Sequence, residues 1–179
     1  MKLIVIPAKA GIQEKKVDFF IWLKETSFGS AVRESLWIYP TFEIVHLFGI
    51  VLLVGSIAMT DLRLLGLSKQ LPVTLTARHL LPWTWVGFVL VLISGVSLFS
   101  GFPTDYYVNT AFRIKLILIA LAGINAALFH FRVYRHVAVW NENTPSPAAA
   151  RVFAALSMFL WFATITAGRL IAYTGSGKD

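Results

Sequence analysis

Glu43, His46, His79, Arg113, Lys115, Asn125, His130 and Arg169 sit inside or at the edges of long apolar runs, where a chain in hydrocarbon would carry no such groups. An ionisable side chain there costs several kcal/mol unless it pairs, snorkels or meets water, so each is a functional candidate. His46 follows Glu43 by three residues, which puts both on one helix face. Glu-x-x-His is also the spacing of di-iron bundles, but those need several further carboxylates. With nine acidic residues in the chain, and Glu43 the one deep in an apolar run, a di-iron site is rejected. His79 and His130 suggest other chemistry: two histidines at one depth can ligate opposite faces of a haem held between helices.

The elements that must position these groups are membrane spans. About 20 apolar residues cross the hydrocarbon, and four stretches qualify, at about 37–60, 80–101, 111–131 and 149–173. The connectors 61–78, 102–110 and 132–147 are short enough to predict consecutive spans as antiparallel neighbours. The expected fold is all-α, an integral membrane four-helix bundle over 36–173 preceded by an interfacial amphipathic helix over 17–35. That helix sets Phe19, Phe20, Trp22 and Leu23 against Asp18, Lys24 and Glu25, with a break at Gly29. Trp22, Trp37, Tyr106, Tyr107 and Tyr173 form an aromatic belt on the side of the amino terminus, and Trp83, Trp85 and Trp140 form one on the other. Gly49, Gly55, Gly95, Gly123, Ala126 and Gly168 are among the small residues expected to let helices approach closely.

Depth follows from a rise of about 1.5 Å per residue. Glu43, Arg169, Arg113 and Lys115 then share one layer, and a Glu43–Arg169 ion pair is expected because an arginine fork offsets the desolvation of a carboxylate. Asn125 is expected to hydrogen-bond between helices or line a cavity. His79 and His130 share the opposite layer. Phe129, Phe131, Trp83 and Trp85 would cover a porphyrin there, with Arg78 or Arg132 on its propionates. His46 lies about 13 Å along the normal from His130, which makes it the poorer partner. His136, in a basic connector, is expected to be solvated.

Composition limits the alternatives. The 179 residues are 57% hydrophobic and 14% charged, with mean hydropathy +0.71, against about 25% charged in a soluble domain. The absence of cysteine excludes disulfides, thiolate catalysis, iron–sulfur clusters and cysteine-ligated zinc. The net charge of +7 comes from connectors and helix ends, where lysine and arginine meet headgroups, rather than from a basic block interleaved with aromatics. Nucleic acid is not an expected partner. No Ser/His/Asp set, glycine-rich phosphate loop or HExxH is present, so the reading leans away from an enzyme.

Residues 1–16 read as a leader of doubtful origin. Val5-Ile-Pro-Ala-Lys-Ala-Gly-Ile-Gln13 resembles the translation of a dispersed intergenic repeat of proteobacteria, which implies a bacterial source and Val17 as an alternative start. Residues 174–179 are a tail. Lysine and arginine are evenly divided between the two sides; committing Arg113, Lys115 and Arg169 to internal pairs favours a cytoplasmic location for the 61–78 and 132–147 connectors, with both termini outside.

Arg33-Glu-Ser-Leu-Trp-Ile-Tyr-Pro40, Glu43-Ile-Val-His46, Asp61-Leu-Arg-Leu-Leu-Gly66, Arg78-His-Leu-Leu-Pro-Trp83, Phe112-Arg-Ile-Lys115, Asn125 with His130, and Ala167-Gly-Arg169 together resemble an uncharacterised family, a domain of unknown function, of small bacterial four-span membrane proteins. The resemblance covers about Val17 to Tyr173 and implies topology rather than activity. More distantly the chain is similar to the membrane domains of copper-resistance D proteins and of b-type di-haem cytochromes. Those cytochromes use two histidine pairs at two depths, whereas here one same-depth pair is present.

The leading functional expectation is thus a haem b-binding electron-transfer protein of the bacterial inner membrane, with His79 and His130 as the metal ligands. The rival is a non-enzymatic transport or accessory subunit whose Glu43, His46, Arg113, Lys115, Asn125 and Arg169 form a polar site for an ion, a proton or a metal. A third is a ligand-free scaffold. The lipid bilayer is the expected partner, with redox or transport proteins beside it.

Overall fold

The computed structural model describes residues 18–174. The expectations for the 1–16 leader, for Val17 as a start and for the tail beyond Thr174 lie outside the described residues. Residues 18–25 are helical (α1), and Ser27–Glu34 forms α2. The break between them falls at Thr26, not Gly29. Thr26 Oγ1 donates to Leu23 O (2.7 Å) and accepts from Gly29 N–H (3.1 Å), an N-cap of the usual threonine kind. Gly29 lies inside α2 because a β-carbon there would stand 2.9 Å from Ser100 O. α2 packs on the end of α4 and on α3, burying Val32 completely and leaving Phe19, Trp22 and Phe28 exposed.

Four helices are long and apolar enough to cross a membrane: α3 (Ile38–Leu65), α4 (Val73–Gly101), α6 (Thr110–Arg132) and α7 (Ala148–Leu170). The chain is a multi-pass membrane protein. Its large exposed residues on these helices, among them Phe48, Val51, Trp85, Ile93, Ile117 and Phe162, form an apolar surface suited to contact with lipid. α5 (Pro103–Val108) links α4 to α6, with proline in its first turn where no amide is needed. A 3₁₀ turn, Tyr134–Val139, follows α6.

The order of packing is α4–α3–α7–α6: α3 lies along α4, α6 along α7, and α3 meets α7. Thus α3/α4 and α6/α7 are the expected antiparallel neighbours, but α4 and α6 do not pack along their lengths. They are joined at one end, next to α5, where Phe99 and Phe112 stack with centroids 5.6 Å apart. We call that end, with the start of α3, the near side.

α3 and α4 touch backbone to backbone. A β-carbon on Gly87 would lie 2.4 Å from Leu53 N, and one on Gly49 would lie 3.0 Å from Val91 N. Small residues at such crossings replace the hydrophobic driving force that lipid removes.

On the far side the helices run longer than their apolar runs suggest. α3 continues past Thr60 through Asp61 and Arg63 to a left-handed Gly66 cap (φ 115°). α4 begins at Val73, so Arg78 and His79 are helical, and Pro82 lies within it without ending it. Arg63 explains the extension. It is 3% exposed, and its Nε donates to Leu71 O (2.6 Å) while one Nη donates to Lys69 O (3.0 Å) and Asn141 O (3.2 Å). One guanidinium thereby ties both far-side connectors to the end of α3. Beneath it lies a packed cluster of Leu64, Val73, Val133, Trp140, Ala150 and Ala154. Trp140 is therefore a core residue, 6% exposed, and not part of the belt to which Trp83 and Trp85 belong by their exposure.

Candidate functional site

His46 and Lys115 are brought together in the near-side half of the membrane, by three helices and with a serine from a fourth. His46 leaves α3 towards α4, half-buried. Its Nδ1 is 2.9 Å from Oγ of Ser94 on α4, a side chain with no exposure at all. The Ser94 hydroxyl proton is directed at Leu90 O one turn back. Its oxygen must therefore accept, and His46 Nδ1 must carry the proton that it donates. The Nε2 lone pair of a neutral ring then faces away from Ser94. Gly95 makes room for the ring, since a β-carbon there would stand 3.2 Å from His46 Cε1.

Lys115, one turn into α6, is half-buried and lies over Gly168 of α7. A β-carbon at Gly168 would be 3.5 Å from Nζ and 3.6 Å from Cδ and Cε. The lysine stem thus rests in ordinary van der Waals range of this position of α7, and its ammonium is within electrostatic reach of His46. No carboxylate answers it: among the described residues the one ion pair is Arg33–Glu34 at 2.9 Å, far along the chain on α2.

Among the described residues the expected Glu43–Arg169 pair does not form. Both side chains are exposed. Glu43 lies within electrostatic reach of Tyr106, while the Arg169 guanidinium sits 5.8 Å from the Tyr173 ring centroid, a cation–π distance. Arg113 is exposed near the start of α6. Tyr106 on α5 meets Tyr39 through their hydroxyls at 3.4 Å. Burial above all, and then this hydrogen bond, push the Tyr106 phenol above its usual range. It stays protonated, so the link from α5 to α3 persists at any ordinary pH.

His79 and His130 are not brought together. Both are exposed and belong to α4 and α6 on the far side, where those helices do not pack along each other. His79 Nδ1 is 2.9 Å from Leu75 O on its own helix, and His130 stacks on Tyr134 with centroids 5.6 Å apart. Among the described residues no cluster of three or more His, Asp or Glu could hold a metal ion. His136 is exposed and accepts from Arg135 Nε at 2.9 Å.

Asn125 does bridge helices, its amide donating to Phe153 O on α7 at 3.1 Å. Its Oδ1 is buried without a partner, as is Oδ2 of Asp61. Asp61 approaches the same turn of α7, with Ser157 beside its carboxyl. Reading 61–78 as a connector hides this residue. The signal available was Asp61-Leu-Arg-Leu-Leu ahead of Gly66, a basic last turn and a glycine stop that mark a helix end at Leu65, five residues later than hydropathy alone does. Asn125→Ala is expected to lower stability by about 1 kcal/mol, the scale of interhelical hydrogen bonds in membranes, as read from unfolding in mixed micelles.

No curated protein and no solved structure matches this chain. Residues 19–174, the described fold almost from end to end, match a family of unknown function, DUF6644, and the chain belongs to that family.

Proposed function

We propose that the protein is a non-enzymatic transport or accessory subunit whose working site is the space between Lys115 and His46, and that this site takes up a small anion together with a proton. The observation that supports this is an ammonium held within a membrane span over Gly168, within electrostatic reach of an imidazole, with no carboxylate among the described residues paired to it. Such a charge is costly in low dielectric until a counter-ion arrives. An anion supplies the counter-charge to Lys115. A proton on His46 Nε2 turns the second wall of the site from acceptor into donor, so that both partners hold the anion. Ser94 fixes the ring from the other nitrogen and keeps Nε2 aimed away from itself.

The test is anion and proton flux in proteoliposomes containing the purified protein, with chloride, nitrate and formate as probes. Anion entry should quicken as external pH falls and carry protons with it. Lys115→Met should cut the flux at least roughly tenfold, the loss of about 1.4 kcal/mol of binding, while His46→Gln should leave anion entry but uncouple it from pH. Unaltered flux in a monodisperse Lys115→Met sample defeats the proposal.

A further inference from the structure

At the opposite end of the molecule a small cavity opens where the end of α3 meets the start of α7. Its volume is about 40 Å³, and it is lined by Leu64, Leu65, Gly66, Lys69, Pro145, Ser146 and Arg151. One water-sized sphere needs roughly 10–15 Å³ by this measure, so the space takes about three oxygen-sized atoms.

The polar side chains that line it favour an anion. Lys69 and Arg151 carry the charge, and no acidic residue lines the walls. Ser146 is 3% exposed, and its hydroxyl is buried with no hydrogen-bond partner, although a buried hydroxyl left unmet costs about 1–3 kcal/mol. Arg151 Nε donates to Ser146 O at 3.0 Å, which holds this strand of the connector against the first turn of α7. The helix begins two residues beyond Ser146 at Ala148. It has a proline N-cap, no side-chain cap and no acidic residue in its first turn, so its amides leave a positive helix end unanswered. At the carbonyl end of α3, the neighbouring wall, Gly66 N–H closes Leu62 O and Arg63 O (both 3.2 Å) and Leu67 N–H also meets Leu62 O (3.0 Å); the remaining last-turn carbonyls oppose an anion, so Lys69 and Arg151 must outweigh them. The Lys69 stem folds over the Gly66 turn, with Cε 3.3 Å from where a β-carbon would be.

From this cavity, its two cations and its unmet buried hydroxyl, we infer that the far-side end of α3 and α7 is a binding site for a phosphoryl group, carried by an anionic phospholipid headgroup or free as phosphate. The cavity lies at the far-side ends of two spans, and basic pockets between spans hold such headgroups elsewhere. Three oxygens of a phosphoryl group match the space. Ser146 donates to one oxygen, Lys69 and Arg151 neutralise the charge, and the α7 amides add their field.

The test uses the full chain, purified in neutral detergent and then placed in nanodiscs of phosphatidylcholine with or without phosphatidylglycerol. Thermal midpoint and titrated affinity are read for phosphatidylglycerol and, separately, for inorganic phosphate. The variants are Ser146→Ala and Lys69→Gln. Neither removes a side-chain hydrogen bond of the unliganded protein, since Ser146 Oγ has no partner and Lys69 holds its neighbours through its backbone carbonyl. Both should fold as the parent does. The expected result is a rise in thermal midpoint with phosphatidylglycerol, with phosphate or with both, and at least a roughly tenfold weaker affinity in each variant, as loss of a hydrogen bond or charge at a charged group implies. A response to phosphatidylglycerol alone assigns the site to lipid; a response to phosphate alone assigns it to the free ion. If neither probe shifts the midpoint, or if both variants respond as the parent does, the inference is overturned.

Discussion

Gly87→Ala is expected to cost about 3 kcal/mol, the upper part of the range for forcing a methyl group into a packed interface. A β-carbon at Gly87 would lie 2.4 Å from Leu53 N, 2.8 Å from Gly49 O and 2.9 Å from Leu53 Cα. All three are backbone atoms of α3, so no side chain can turn aside, and the helices themselves would have to part. They belong to the most extensive helix pair in the molecule, and the Ser56–Thr84 hydroxyl contact (2.8 Å) and His46–Ser94 (2.9 Å) lie across the same seam. Separation would loosen both. Gly55→Ala and Gly123→Ala provide the contrast. Nothing lies within 4 Å of a β-carbon at either, so each should be neutral or stabilising by up to about 1 kcal/mol from reduced unfolded-state freedom. Unfolding by sodium dodecyl sulfate titration from mixed micelles ranks the three. Equal behaviour of Gly87→Ala and Gly55→Ala would refute the backbone-contact account.

Arg63→Ala should cost a comparable amount, roughly 3 kcal/mol, given about 1.5–3 kcal/mol for a hydrogen bond to a charged group and incomplete additivity. The effect should be local in origin. Lys69 O and Asn141 O keep their backbone donors, Asn143 N–H at 3.2 Å and Val73 N–H at 2.9 Å, while Leu71 O loses the 2.6 Å bond from Arg63 Nε. Arg63→Lys should recover less than half of the loss. A single ammonium cannot present two nitrogens to Leu71 O and to the Lys69–Asn141 pair at once. Limited proteolysis of the 66–72 and 140–147 connectors, read beside the unfolding titration, should show both cut faster in Arg63→Ala. Full restoration by lysine would mean that charge, not the fork, holds this end together.

The spans were legible because about 20 apolar residues in a row have few other uses, and Asn125 announced an interhelical bond because a membrane offers an amide little else. Rise per residue predicted depth, but direction around each helix had no such signal. Glu43 and Arg169, expected in one layer, are both exposed, and His79 and His130, expected in another, ride on helices that are not neighbours along their length. A window of hydropathy has no access to helix order, and in an all-apolar helix amphipathicity gives no azimuth. Lys115 illustrates the remainder. Its partner helix became visible only through Gly168, a gap that a sequence prints as one more small residue. Trp140 and Arg63 failed as readings for one shared reason: charged and aromatic residues at a span's end look interfacial, and only the fold of the connector shows that they turn inward.

The row α4–α3–α7–α6 also bears on how the chain is made. Each hairpin, α3 with α4 and α6 with α7, closes its larger interface between neighbours in the chain. A ribosome delivering the first hairpin to the insertion machinery therefore releases a unit already paired before α6 exists. The second hairpin can do the same, and α3 against α7 becomes the last seam to form, between two preassembled halves diffusing in the plane of the bilayer. Lys115 and His46 come within electrostatic reach across that seam, so the first hairpin carries His46 with Ser94 and meets the lysine only when the halves dock.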